Sequence, residues 1–383
     1  MRKPLRWTAA LACLGLIAAA GAAYAFLHMQ REAPSPPVAG GAVDWTAALL
    51  ELADEDFARL PEDWRLELPD DHGAHPHARA ETWTVSAHLH EADGADHAVQ
   101  LALFRIALAR PDAPQAASAW VPRELYAGQL ALLQGGEATP AVERRLNRGV
   151  LGLAGHDAAR GEIWLDDWSI AYGHGDRGAQ VTLAATSGEM MLDLVLTPEK
   201  EALASAGEGA AAPFHGYAIT RMSVEGHIGP AGDRRPVAGL AWLDHLWGDV
   251  PLPGGPIVWD RLQLQLDDGS DLAVVRSRRR DGGGTPTLSG FVVDAAGVVD
   301  PIDGASLEMT ATRTWPRGRD GAFPLDWVLV SDDLNLQVSA VTDDQRLDLA
   351  EPVWSGLVAA EGAFRGRQVS GFGTLQLTGY RMP

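Results

Sequence analysis

From residue 80 onward, apolar and polar positions alternate with a period of two, which predicts strands rather than helices. Glu81–His90, ETWTVSAHLH, puts Trp83, Val85, Ala87 and Leu89 on one face. His97–Leu108, HAVQLALFRIAL, is more fully apolar, and the turn around Asp93-Gly94 joins the two as a hairpin. Glu162–Ala171, Gln180–Ala185, Met190–Leu196 and Tyr217–Glu225 continue the meander. A turn-rich break follows at Gly229–Pro236. Beyond it, strands are predicted at Leu240–Trp247, Val258–Leu266, Leu272–Ser277, Leu288–Asp294, Ser306–Trp315 and Asp326–Val330. Leu334–Val341, Trp354–Ala360 and Val369–Tyr380 complete the series. Only Trp45–Leu60 has helical spacing, and Thr197–Gly209 reads as a short helix or loop. Many short strands separated by turns such as Asp268-Gly269 and Asp281-Gly282 predict an all-β fold of barrels or sandwiches.

The stretch Val237–Gly248, VAGLAWLDHLWG, is the densest in candidate chemistry. Alternation places Leu240, Trp242, Asp244 and Leu246 on one face, and Ala241, Leu243, His245 and Trp247 on the other. A carboxylate between Trp242 and Leu246 is costly to bury alone, so Asp244 either lines a wet cavity or has a fixed cationic partner, for which Arg261 is placed. Asp244 and His245 are adjacent and face opposite ways, so they do not form one acid–base pair. His72, His75 and His77, with Asp70 and Asp71, sit in a Gly/Pro turn that lacks a second ligand group at zinc spacing, so no metal site is expected. No GxSxG elbow, HExxH helix or phosphate-binding glycine loop is present.

Charge and the N-terminus narrow the class. A formal charge of −20 argues against a nucleic-acid partner, which needs clustered basic residues. Arg2, Lys3 and Arg6 precede the apolar, alanine-rich Trp7–Gly21, and Ala23-Tyr24-Ala25 offers a small-x-small cleavage pattern. Residues 1–25 therefore read as a signal peptide or membrane anchor, and 26–43 as a flexible linker, which places the body in the periplasm or otherwise outside the cytoplasm, secreted or tethered by residues 7–27. The single cysteine, Cys13, lies in that segment, leaving the body without disulfides.

VAGLAWLDHLWG, followed by Trp259 and LQLQLDDGSDL, resembles the AttH and carotenoid 1,2-hydratase family of two-lobed lipocalin-like proteins. DDHGAHPHARAETW at 70–83, LALFRIAL at 101–108, FPLDWVL at 323–329 and WSGLVAAEGAFRGRQVSGFGTLQLTGY at 354–380 extend the resemblance in the family's order. It implies two lipocalin-like barrels packed together, expected at 44–235 and 236–383. It also implies an apolar pocket lined by some of the thirteen tryptophans, with Trp83, Trp242, Trp247, Trp259 and Trp354 as candidates beside His88 and His245. AttH-like relatives imply a lipid or other apolar ligand, no cofactor, and an inner-membrane ABC transporter as partner. The hydratase branch implies an enzyme that adds water to, or cyclises, an isoprenoid or polyene, with an acid that protonates a double bond first, a role that transfers by motif to Asp244 with Trp242. The chain departs from the family's Glu-Trp-Trp-Tyr at Glu81–Thr84 and has Leu246 where members carry a glutamate.

Overall fold

The computed structural model describes residues 57, 60, 61, 63–114, 121–135, 139–158, 160–176, 178–207, 214–248, 257–316, 322–347 and 353–380. The expected signal or anchor, the linker and most of the helical Trp45–Leu60 stretch lie outside these residues. The described chain is all-β, a nearly closed barrel followed by a half-barrel sheet.

The first sheet holds twelve strands. They are β1 (Ala80–Glu91), β2 (Asp96–Ala107), β3 (Glu124–Leu133), β4 (Ala141–Arg148), β5 (Ala154–Asp157) and β6 (Glu162–Leu165). Then come β7 (Trp168–Gly175), β8 (Gly178–Ser187), β9 (Met190–Pro198), β10 (Leu203–Gly207), β11 (Phe214–Pro230) and β12 (Arg235–Gly248). Their order is β4-β3-β2-β1-β12-β11-β9-β8-β7-β6-β5, with β10 against β11. The step that curls the sheet is the pairing of the last strand with the first, antiparallel from Ala80↔Gly248 to Glu91↔Val237. The inward positions of these strands, among them Val85, Leu89, Leu101, Leu183 and Leu194, are at most 2% exposed and fill the barrel with close-packed aliphatic groups.

The second sheet has ten strands: β13 (Ile257–Leu266), β14 (Asp271–Arg279), β15 (Thr287–Val293), β16 (Val299–Ile302) and β17 (Glu308–Pro316), then β18 (Ala322–Val330), β19 (Leu334–Ala340), β20 (Arg346–Leu347), β21 (Val353–Phe364) and β22 (Arg367–Leu377). Here too the last strand, β22, pairs with the first, β13. Its core gathers Leu262, Leu264, Phe323, Trp327, Leu336 and Trp354.

Two expectations move. The division expected between residues 235 and 236 falls inside the first sheet, because Arg235–Gly248 is its closing strand; Gly229–Asp233 is a hairpin between β11 and β12, held by the Asp233 amide on the Pro230 carbonyl at 2.9 Å. The helix or loop expected over Thr197–Gly209 contains the strand Leu203–Gly207 instead.

The lobes meet through outward faces. Trp242 of β12 packs with Ala273, Val275, Phe291 and Val293 of the second sheet. A bulge in β11 between Ile219 and Met222 turns Thr220 and Arg221 toward β14, where the Thr220 hydroxyl donates to Asp271 at 2.7 Å and the Arg221 guanidinium at 3.0 Å.

Barrel closure has a tight point at Gly239. A Cβ there would lie 2.0 Å from the His88 carbonyl oxygen and 2.9 Å from the Leu89 Cα, both backbone of β1. Neither can rotate away. Gly239→Ala is therefore expected to cost about 2–3 kcal/mol, at the upper end for overpacking, measured by urea unfolding; a cost near zero would mean that the β1–β12 seam opens freely.

Candidate functional site

Strand register brings inward polar side chains together at one end of the first barrel. Across β2, β1, β12 and β11 one row reads Arg105, Glu81, Trp247, His215. The next row reads Leu103, Trp83, His245, Tyr217. The Trp83 ring stacks on His245 at 4.6 Å, and Tyr217 meets the same imidazole edge-on at 5.4 Å. The segment before β1 covers this end by ring contacts: His75 lies flat on Trp247 at 3.7 Å, Trp64 on His215 at 4.6 Å and His72 on Tyr172 at 4.2 Å.

Glu81 is the hub. Its side chain is 0% exposed, and so is that of Arg105, which donates through Nε at 3.0 Å. Both oxygens accept the His75 amide at 2.9 and 3.0 Å. Oε1 also accepts His75 Nδ1 at 2.8 Å and His245 Nε2 at 2.9 Å. Burial opposes the charge on Glu81, but the hydrogen bonds from His245 and His75 and the Arg105 guanidinium outweigh it, holding the carboxyl well below the ordinary range. An ionised Glu81 requires both imidazoles to present N–H to it. Burial works against the His75 imidazolium too, yet Glu81 and Asp71 raise it above its ordinary value. Burial lowers His245, and Glu81 offsets that only in part. Its Nδ1 is buried without a hydrogen-bond partner. His72, lowered to about 4 by burial and by the nearby His245, sits with Nδ1 2.7 Å from the Tyr217 hydroxyl, which donates to Tyr172 at 3.1 Å. Burial raises both phenols, so they stay protonated.

The residues singled out in the sequence divide among separate environments. Trp83, His245 and Trp247 belong to this barrel end. Asp244 and Trp242 do not: they lie between the lobes, where Asp244 accepts Arg261 Nη2 at 2.7 Å, Gln263 Nε2 at 3.3 Å and Trp242 Nε1 at 3.3 Å. Trp259 packs beside the Trp242 cluster. Trp354 is in the second lobe's core, its Nε1 donating to the Asp343 carbonyl at 2.8 Å. His88 is on the outer face, 4.0 Å from the Phe372 ring. A shallow pocket between the lobes, lined by Val99, Gln100, Leu133, Ser355 and Leu357, carries no titratable side chain in its lining.

Sequence reasoning missed Glu81, Arg105, Tyr172 and Tyr217. One signal was available: Arg105 breaks an otherwise apolar strand, and an inward arginine demands an inward acid. The turn holding His75 also finds, in the fold, the second ligand group that its sequence spacing lacks. His75, Glu81 and His245 place one donor atom each within 4.8 Å of one another, a set able to hold a metal ion.

A family model described as AttH-like matches residues 59–380. Among solved structures, one from Nitrosomonas europaea described as an AttH protein is 25% identical, covering 85% of this chain and 100% of that one, with a TM-score of 0.72. Kievitone hydratase from Nectria haematococca is 14% identical, covering 85% of this chain and 96% of that one, with a TM-score of 0.57. No curated protein sequence matches.

Proposed function

This chain belongs to the AttH-like family, and from its barrel end we propose that it takes up an apolar, unsaturated small molecule and adds water to it or moves a proton along it. The observation that carries the reading is one buried carboxylate, Glu81, shared by two imidazoles beneath a wall of Trp83, Trp247 and Tyr217 rings. Such a concentration of buried ionisable groups is far more than packing needs. Below it the barrel is filled with aliphatic side chains, so a ligand would take the place of the covering segment on the rings, where His75 now stacks on Trp247 at 3.7 Å, rather than lie along the barrel axis. Indole and imidazole faces suit a planar conjugated group. His245 supplies a nitrogen acceptor on this floor, and the Tyr217 hydroxyl would supply the donor by turning its one proton from Tyr172 to the ligand; addition of water across a double bond needs both roles, because oxygen bonds to one carbon and a proton goes to its neighbour. The same chemistry is what the name of the kievitone hydratase neighbour describes for that protein.

The test is a panel of apolar alkenes and polyenes incubated with the chain in isotopically labelled water, read by mass spectrometry for a gain of one water. His245→Ala is expected to lower turnover by about 10²–10⁴-fold, the usual contribution of a positioned acid or base. Unchanged turnover in that variant would remove the barrel end from the reaction.

A second reading, an extracytoplasmic carrier of an apolar ligand working beside an ABC-type exporter, is supported by the apolar run at residues 7–27. An intact lipid recovered from protein purified out of the cell envelope, with no turnover of any alkene, would favour it.

A further inference from the structure

We infer that His75, Glu81 and His245 form a binding site for one divalent transition-metal ion, of the zinc class. The donors are His75 Nδ1, Glu81 Oε1 and His245 Nε2, and both imidazole nitrogens already converge on the one oxygen, at 2.8 and 2.9 Å. Two imidazoles and a carboxylate, with a fourth position left for water, are a common zinc donor set. A tetrahedral ion with bonds of about 2.0–2.1 Å needs its ligand atoms about 3.4 Å apart. The two nitrogen–oxygen separations are those of hydrogen bonds, so the ion would enter where the two shared protons now sit and spread each of those pairs by about half an ångström, with the two nitrogens, within 4.8 Å of one another, adjusting to the same spacing.

The surroundings are built as a metal site's outer shell is built. His75 has its other nitrogen, Nε2, 3.1 Å from Asp71 Oδ1, the carboxylate–imidazole arrangement that fixes a ligand's tautomer and orientation. Glu81 has its other oxygen held by Arg105 at 3.0 Å, which leaves Oε1 as a single directed donor. The His245 ring is clamped between its strand neighbours by stacking on Trp83 at 4.6 Å.

Charge decides whether a dication is tolerated beside Arg105. That arginine faces two carboxylates, Glu81 at 3.0 Å and Glu124 at 3.1 Å, and Asp71 stands behind His75 as a third. Metal ligation needs both imidazoles neutral, so uptake would release the proton that Glu81 and Asp71 favour on His75, and three negative charges would then oppose one positive. The shortfall is two charges in a buried site, which a divalent ion would neutralise.

The inference goes beyond the hydration reading and can fail or hold without it, because metal uptake is measured with no substrate present. The full chain, stripped with a chelator, is titrated with Co²⁺ and followed by visible absorption, with Zn²⁺ competition and thermal shift alongside. One Co²⁺ per chain with a tetrahedral spectrum, displaced by Zn²⁺, is expected. His75→Ala is the main variant, since it leaves Glu81 paired with Arg105 and should fold; it is expected to abolish the spectrum. Asp71→Asn is expected to weaken binding by about tenfold, as loss of an outer-shell partner does. His88→Ala, on the outer face, is expected to change nothing. A folded chain with no tetrahedral signature would overturn the inference. So would a signature that survives His75→Ala, which would place the ion on His72 and His77 or elsewhere.

Discussion

Glu81→Ala is expected to destabilise the first lobe by about 3–5 kcal/mol, the cost of stranding one partner of a fully buried ion pair. The reason lies in what remains around Arg105. Its side chain is 0% exposed and would keep only Glu124, a quarter exposed, and the carbonyls of His75 and Ala78 at 2.6 and 3.0 Å. Water cannot reach the guanidinium to replace the lost carboxylate. The His75 amide and the two imidazoles lose their acceptor as well, so the segment covering the barrel loosens with it. For a lobe of this size the thermal midpoint should fall by about 10 °C. A double-mutant cycle with Arg105→Met separates the pair from its surroundings: removing both charges should recover part of the loss, because the orphan cation is gone. A Glu81→Ala chain that unfolds within 1 kcal/mol of the parent would mean that Glu81 is not the hub of the barrel end.

That hub was only half legible in the sequence, for a physical reason. Alternation sorts residues onto faces using neighbours alone: Trp83 falls on an apolar face with Val85, Ala87 and Leu89, but in Val237–Gly248 the face carrying Asp244 reads as the buried one and His245 falls opposite it. Which inward residues meet depends on register, and β1 pairs with a strand some 150 residues away. No local signal states that Glu81 lies opposite Trp247, or Arg105 opposite Glu81. The same non-locality displaced the lobe boundary. Turn residues at Gly229–Pro236 look alike whether they end a lobe or fold a hairpin within one, and only the pairing of β12 with β1 decides. Asp244 is the converse case. Its burial between Trp242 and Leu246 and its reach to Arg261 follow from sequence-level reasoning about an inward carboxylate, but the surface it faces belongs to the other lobe, not to the barrel interior.

The junction between lobes carries a second strong expectation, at Asp271. This aspartate of β14 is 0% exposed and gathers three groups from the first lobe: Lys200 Nζ at 2.8 Å, Arg221 at 2.9 Å and the Thr220 hydroxyl at 2.7 Å. Both cations are also tied to second-sheet carbonyls, Lys200 to Gly269 and Val293, Arg221 to Leu266 and Ser270. Asp271→Ala would leave two buried cations facing those dipoles without a counter-charge. Burial already lowers Lys200, with Asp271 as the main opposing influence, so in the variant Lys200 can shed its proton and relieve part of the penalty. Arg221 has no such route, because a guanidinium keeps its proton. The expected loss is therefore still about 3–5 kcal/mol. It falls on the contact between lobes rather than within either core. Calorimetry should accordingly change in form as well as position, from one transition in the parent to two in Asp271→Ala, as the lobes cease to melt together. Asp271→Asn keeps a hydrogen-bond acceptor for Thr220 but not the charge, and should behave nearly as badly if the ion pairs dominate. A single, unshifted transition in both variants would mean that the lobes are held by the Trp242–Phe291 apolar contact alone and that the buried ion cluster adds nothing to their cohesion.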